Sequence, residues 1–203
     1  MEKYNLNSIS NKNRQFELFG SNVNTSINFQ QTNNLKIEKE IITEWRNKIH
    51  NHQLKISKDS HNKTLYQTSL PINTISNEKK IDPFSLQPLS LNFWRTNQYI
   101  HNGPAMYFVI DSMENSKIIL YIGETNVANK RWKGEHDCKN YLMNYKESLA
   151  HNNLSSHQDI RFFLDVPKEV KLRRKLEQQL IYLWLRPFNK ETRDRWETTF
   201  TYN

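Results

Sequence analysis

Apolar positions along the chain fall into distinct stretches, and each stretch predicts a different kind of structure. Residues 1–34 are dense in Asn and Ser with isolated hydrophobes such as Phe16, Leu18 and Phe19. That density is too low to enclose a core and predicts a disordered segment. From Leu35 the spacing becomes regular: Ile37, Ile41, Trp45 and Ile49 recur every four residues, one apolar helix face running to about residue 56. Residues 57–80 turn polar again, and Pro71, Pro83 and Pro88 break any regular element. Phe84, Leu86, Leu89, Leu91, Phe93 and Trp94 therefore read as anchors of an irregular strap packed on the C-terminal half of the chain.

Beyond Gly103 the pattern changes period. Ala105 to Asp111 and Lys117 to Gly123 are rich in aromatic and branched residues around a turn-forming stretch, the signature of an antiparallel hairpin. Asn126 to about Ala150 has helical spacing with a break at Gly134, Asp159 to Val166 reads as a third strand, and Lys168 to Arg186 as a helix ended by Pro187. The order β-β-α-β-α predicts a mixed α/β (α+β) domain over about 104–200, with a small three-stranded antiparallel sheet flanked by helices. A helix-plus-strap extension over 35–103 precedes it, either packed on the domain or serving a dimer.

A chain of 203 residues fits one core with an appendage better than two independent domains. The formal charge of +8 puts nucleic acid first among partners to consider, against the plainer reading of an ordinary basic protein. A single cysteine, Cys138, excludes an intramolecular disulfide and offers no Cys pair for zinc, which suits a reducing compartment such as the cytoplasm. The N-terminus lacks an apolar signal core, and no run of about 18 apolar residues is present to span a bilayer, so a soluble protein is expected.

Four residues carry candidate chemistry. Strand alternation puts Tyr107 on a face with Ala105 and Val109, and Tyr121 on a face with Ile119 and Gly123, so a hairpin in suitable register brings the two phenols together. Taken singly, either tyrosine is equally at home as a packing residue. Arg131 lies beyond the second strand, where its planar donor fork suits a phosphate, and Lys130 and Lys133 beside it make a basic face for a nucleic-acid backbone. Glu177 lies at the edge of an apolar helical stripe with Leu180, Ile181 and Trp184. A carboxylate there needs a cation, either a hard metal ion, Arg131, or a structural partner such as Arg173 or Arg174.

Ala105-Met106-Tyr107, Leu120-Tyr121-Ile122-Gly123, Arg131 eight residues on, Glu177 in the last long helix and Arg186-Pro187-Phe188-Asn189 succeed one another in an order that resembles the catalytic domain of the GIY-YIG nucleases. That resemblance implies a divalent-metal-dependent endonuclease, a hydrolase of DNA phosphodiester bonds, with RNA left open and a monomer or homodimer as the working unit. It implies Tyr107 as general base toward the attacking water, Tyr121 positioning water or phosphate, and Arg131 stabilising the phosphorane. Glu177 would hold Mg²⁺ or Mn²⁺, and Asn189 would brace the site. His136, five residues after Arg131, is a candidate proton shuttle or a surface residue, because on a continuous helix one extra position turns a side chain by about 100°. Glu124 and the displaced His136 favour the alternative of a binding module of the same fold without turnover. The strap anchors favour a second alternative, a structural interaction protein.

Overall fold

Where the chain switches from period four to period two it forms a sheet, and helices cover both faces. The computed structural model describes residues 37–61, 81–95, 101–113, 116–133, 136–197 and 200, all within the unit Asn33–Asn203. The disorder expected for 1–34 and the breaks at Pro71 and Gly134 lie outside the described residues. The helices are α1 (Lys39–His61), α2 (Asp137–His151) and α3 (Val170–Trp184), and the strands are β1 (Leu89–Ser90), β2 (Ala105–Met113), β3 (Ser116–Thr125) and β4 (His157–Phe163). The sheet is antiparallel with order β1-β4-β2-β3. It thus has four strands where the sequence predicts three. The additional one is two residues of the strap, Leu89 and Ser90, paired with Ile160 and Asp159, too short to show alternation. No helix among the described residues is long and apolar enough to cross a membrane.

The faces of β3 are set by an irregularity. Val109 pairs with Tyr121 but Ile110 pairs with Ile119, so Leu120 is an extra residue opposite the junction, a β-bulge. Ile118, Leu120 and Tyr121 therefore share the face of Tyr107 and Val109, while Ile119 and Ile122 join Met106, Phe108 and Ile110 on the other. The expectation that Tyr121 shares a face with Ile119 is corrected by this bulge: strict alternation cannot cross it. The bulge puts the second phenol beside the first.

As the last strand of the sheet, β3 presents an unpaired edge, and side chains complete its hydrogen bonds. Gln53 of α1 accepts from Ile119 N–H at 2.7 Å and donates to the Ile119 carbonyl at 3.0 Å. Asn189 does the same at Ile122, at 3.0 and 2.8 Å, while Phe188 N–H donates to the Leu120 carbonyl at 3.1 Å. Glu177 of α3 accepts from Glu124 N–H at 3.0 Å. Three elements distant in sequence are thereby fastened to one strand edge.

The buried face of α1 differs from the expected stripe. Ile42, Arg46, Ile49 and Gln53 are buried, Trp45 is half-buried, and Ile41 is 55% exposed. The face has a three-four spacing that includes two polar residues, invisible to a search for apolar positions alone. Arg46 pairs with the fully buried Asp111 at 3.1 Å, and Asp111 also accepts from Tyr145 Oη and Ser156 Oγ, both at 2.7 Å. Trp45 packs against Tyr145, Phe188 and Phe200. In the strap, Leu91 and Phe93 are buried and Phe84 meets Trp184 edge-on. The extension is thus part of the same core as residues 105–200.

Candidate active site

Tyr107 stands in the middle of the sheet with Gly123 opposite it on β3 and Phe162 opposite it on β4. A Cβ at position 123 would collide with the Tyr107 Oη and Cζ atoms, so the absence of a side chain at Gly123 is what admits the phenol. The Tyr107 and Tyr121 rings stack with centroids 5.9 Å apart at 26°. Beyond β3 the chain makes a 3₁₀ turn (Ala128–Lys130) in place of the helix expected from Asn126, and α2 begins only at Asp137. His136 is the N-cap of α2, its Nδ1 lying 3.2 Å from the Cys138 backbone nitrogen. Its placement relative to Arg131 is therefore not set by helical periodicity. The half-buried imidazole turns inward, ringed by Tyr121, Trp132 and Tyr107.

Arg131 closes the cluster. Its Nε donates to Tyr107 Oη at 3.0 Å, its Nη2 lies 2.7 Å from His136 Nε2, and the guanidinium sits 5.4 Å from the Tyr107 ring centre. Tyr107 Oη is itself 3.1 Å from His136 Nε2. Two donors compete for the imidazole lone pair, Cys138 N–H at Nδ1 and Arg131 at Nε2. The Nε2 contact is the shorter and comes from a charged donor, and the same nitrogen meets the phenol. Burial, reinforced by the charge of Arg131, pushes His136 down to about 4, so the ring is neutral around pH 7 and resists protonation.

The phenols are held protonated. Burial pushes Tyr107 well above its ordinary value, aided by Tyr121, and the nearby Arg131 only partly offsets this. Tyr121 is pushed up to about 12, again chiefly by burial, with a hydrogen bond to Tyr107 and the charge of Arg131 opposing. Tyr107 has no exposed surface, whereas Tyr121, Arg131 and His136 are each partly open.

Glu177 is half-buried on α3, and its Oε1 is held by Glu124 N–H. Burial raises its pKa, the like charges of Glu124 and Glu191 add to this, and the Glu124 N–H and Arg186 oppose it. The structural partnership considered for it lies elsewhere: Arg173 Nε donates to Glu124 at 2.8 Å, Arg174 lies 3.7 Å from the same carboxylate, and Arg173 also donates to Asn126 and to the Pro167 and Lys168 carbonyls. The Glu124 charge, a source of repulsion toward phosphate if left alone, is thereby neutralised. Among the described residues there is no cluster of three or more His, Cys, Asp or Glu that could hold a metal ion. The Oε2 of Glu177 makes no hydrogen bond among those residues, which suits a hard ion completed by water and phosphate oxygens.

The residues singled out in the sequence gather in one region. Tyr107, Tyr121, Arg131 and His136 form one contact cluster, and Glu177 and Asn189 line the strand edge that carries Tyr121. Lys130 and Lys133 are exposed at the entrance of the turn, next to Arg131. Sequence reasoning missed three residues. Gly123 figured in a motif without its steric reason. Lys139 donates to the Trp132 carbonyl at 2.7 Å and lies 5.7 Å from that indole's centre, and Arg95 of the strap, itself 4.8 Å from the Trp94 ring centre, acts on it electrostatically. Phe93 next to them packs on Phe162, which touches Tyr107. The strap therefore brings basic and aromatic side chains to the same region, a juxtaposition that no local pattern encodes. Compared with family models, curated proteins and solved structures, the chain matches none.

Proposed function

We propose that the protein is a divalent-metal-dependent endonuclease that cleaves DNA phosphodiester bonds, with the GIY-YIG nucleases as the family it resembles. The observation that carries this reading is the convergence of Tyr107, Tyr121, Arg131 and His136 in one contact cluster, beside a half-buried carboxylate with one oxygen unbonded among the described residues. Packing residues have no need of that combination: two phenols and a neutral imidazole held around a guanidinium fork place a water-orienting hydroxyl next to a phosphate ligand.

In this reading the partly exposed Tyr121 orients the attacking water, whose proton leaves to bulk solvent on the open side of the cluster. Arg131 Nε–H holds the Tyr107 oxygen beside it, and the remaining guanidinium donors face the phosphoryl oxygens. Glu177 would hold Mg²⁺ or Mn²⁺, which when bound polarises the phosphate and stabilises the leaving oxygen. Lys130, Lys133 and Lys139 supply backbone attraction without sequence reading.

The complete enclosure of Tyr107 favours a second reading, a nucleic-acid-binding module without turnover. Incubation of supercoiled plasmid with the purified chain, in Mg²⁺, in Mn²⁺ and in chelator, separates the two. Metal-dependent nicking is expected. Retention of the plasmid in a gel-shift assay with no nicking in either metal would favour the module.

A further inference from the structure

Arg186 has no exposed surface, and its Nε, Nη1 and Nη2 atoms lack any hydrogen-bond partner among the described residues. A buried cation is among the costliest groups a fold can hold unless it is paired. The other buried arginines obey that rule. Arg46 bonds to Asp111 and the Ser155 carbonyl, Arg161 to Asp159 and two strap carbonyls, and Arg173 to Glu124, Asn126 and two loop carbonyls. Arg186 departs from it although acidic groups are near.

Its position is dictated by the backbone. Leu185 ends α3 in the left-handed region, φ 44° and ψ 63°, turning the chain back along β3. The Arg186 carbonyl then accepts from Thr192 Oγ1 at 2.6 Å, Phe188 N–H bonds to Leu120, and Asn189 grips Ile122. The residue is thus anchored at the strand edge that carries Tyr121 and whose Glu124 N–H bonds to Glu177. Its charge acts on Glu191, Glu177 and Tyr121, and burial pushes it down to about 9, which still leaves it cationic at neutral pH.

We propose that Arg186 is a buried counter-charge for an anionic phosphoryl group taken up at Tyr121 and Glu177, a positioning residue that acts through the protein interior and not by contact. The identity of that anion as a phosphodiester rests on the function proposed above. A phosphoryl group brought beside Glu177 meets a like charge. Arg131 can offset it from the open side, and Arg186 offsets it from behind, where low polarisability and the absence of salt let a charge act farther than Lys130 or Lys133 can. A charge fixed in place before substrate arrives needs no reorganisation when it does. Without a hydrogen-bond partner among the described residues, the guanidinium charge is not cancelled locally before it reaches the site.

Thermal unfolding of the full chain, Arg186→Met and Arg186→Lys tests this, in sodium phosphate against sodium chloride of equal ionic strength without metal, alongside plasmid nicking in Mg²⁺. Removing an unpaired charge should leave the methionine variant melting at or above the parent in chloride. Phosphate should raise the parent's Tm, raise that of Arg186→Met by less than half as much, and raise that of Arg186→Lys by an intermediate amount. Nicking by Arg186→Met should fall by about tenfold or more. An equal phosphate shift in parent and methionine variant overturns the proposal, as does no shift in the parent. A phosphate shift lost in Arg186→Met, with no nicking by the parent, upholds the counter-charge and overturns the nuclease reading. Should Arg186→Met not fold, Arg186→Gln is read in the same way.

Discussion

At Gly123 a side chain is missing because the Tyr107 phenol fills its space. Gly123→Ala should therefore cost about 1–3 kcal/mol in urea unfolding, as expected of overpacking. It should also displace the Tyr107 oxygen from Arg131 and His136, lowering plasmid nicking far more than oligonucleotide affinity. Unchanged nicking would mean that the phenol's placement is immaterial. His136 gives the pH dependence. Its folded pKa of about 4 lies below the ordinary 6.5, so between those values the unfolded chain binds a proton that the folded chain refuses. Stability should fall as pH drops through that window, and urea midpoints of His136→Asn should fall less over the same range. Tyr107, Tyr121, Arg131 and Glu177 were legible as residues because motif order and residue type survive in the sequence. The state of His136 was not, because it depends on a ring turned inward by a cap and on a guanidinium five positions away.

The elements were legible where their period is clean. The hairpin, the third long strand and the last helix stand close to where alternation and helical spacing put them. Alternation failed at Leu120, because one inserted residue reverses the facing of the residues on its far side. The α1 stripe failed because Arg46 and Gln53 are buried for their hydrogen bonds: a side-chain amide that completes a strand edge looks like any surface glutamine. Gln53→Leu should accordingly leave Ile119 N–H and C=O unpaired in the interior and cost about 2 kcal/mol or more in urea unfolding. A loss below half that value would show that the edge finds other partners. β1 was missed because two residues cannot display a period, and only their pairing with β4 makes them a strand.

Across the whole molecule, one sheet edge gathers the residues that the proposed function needs. Helix α1 supports β3 through Gln53, the C-terminal turn through Asn189, and α3 through Glu177, so the candidate metal ligand is positioned by the same bonds that complete the fold. Glu177→Gln preserves the acceptor for Glu124 N–H while removing the anion. It should hold or raise Tm, keep oligonucleotide affinity and abolish nicking at limiting metal; near-parental nicking there would remove Glu177 as the ligand. With a net charge of +8 and Lys130, Lys133 and Lys139 near the site, the proposed binding to DNA would be electrostatic, and affinity should fall steeply between about 50 and 200 mM salt. The coarse mixed α/β class and the order of the candidate residues were legible because both are written locally. The linkage of distant elements through single side-chain amides was not.

The central claim is that the cluster around Arg131 performs chemistry on a phosphodiester and does more than attract one. Arg131→Lys tests it most directly, because lysine keeps the charge but cannot hold Tyr107 Oη and His136 Nε2 with one planar fork. Nicking rate and oligonucleotide Kd should be measured on both proteins at the same salt and Mg²⁺ concentrations. The account predicts a Kd within about threefold of the parent and nicking slowed by about a hundredfold or more. Equal nicking by the two proteins would contradict it.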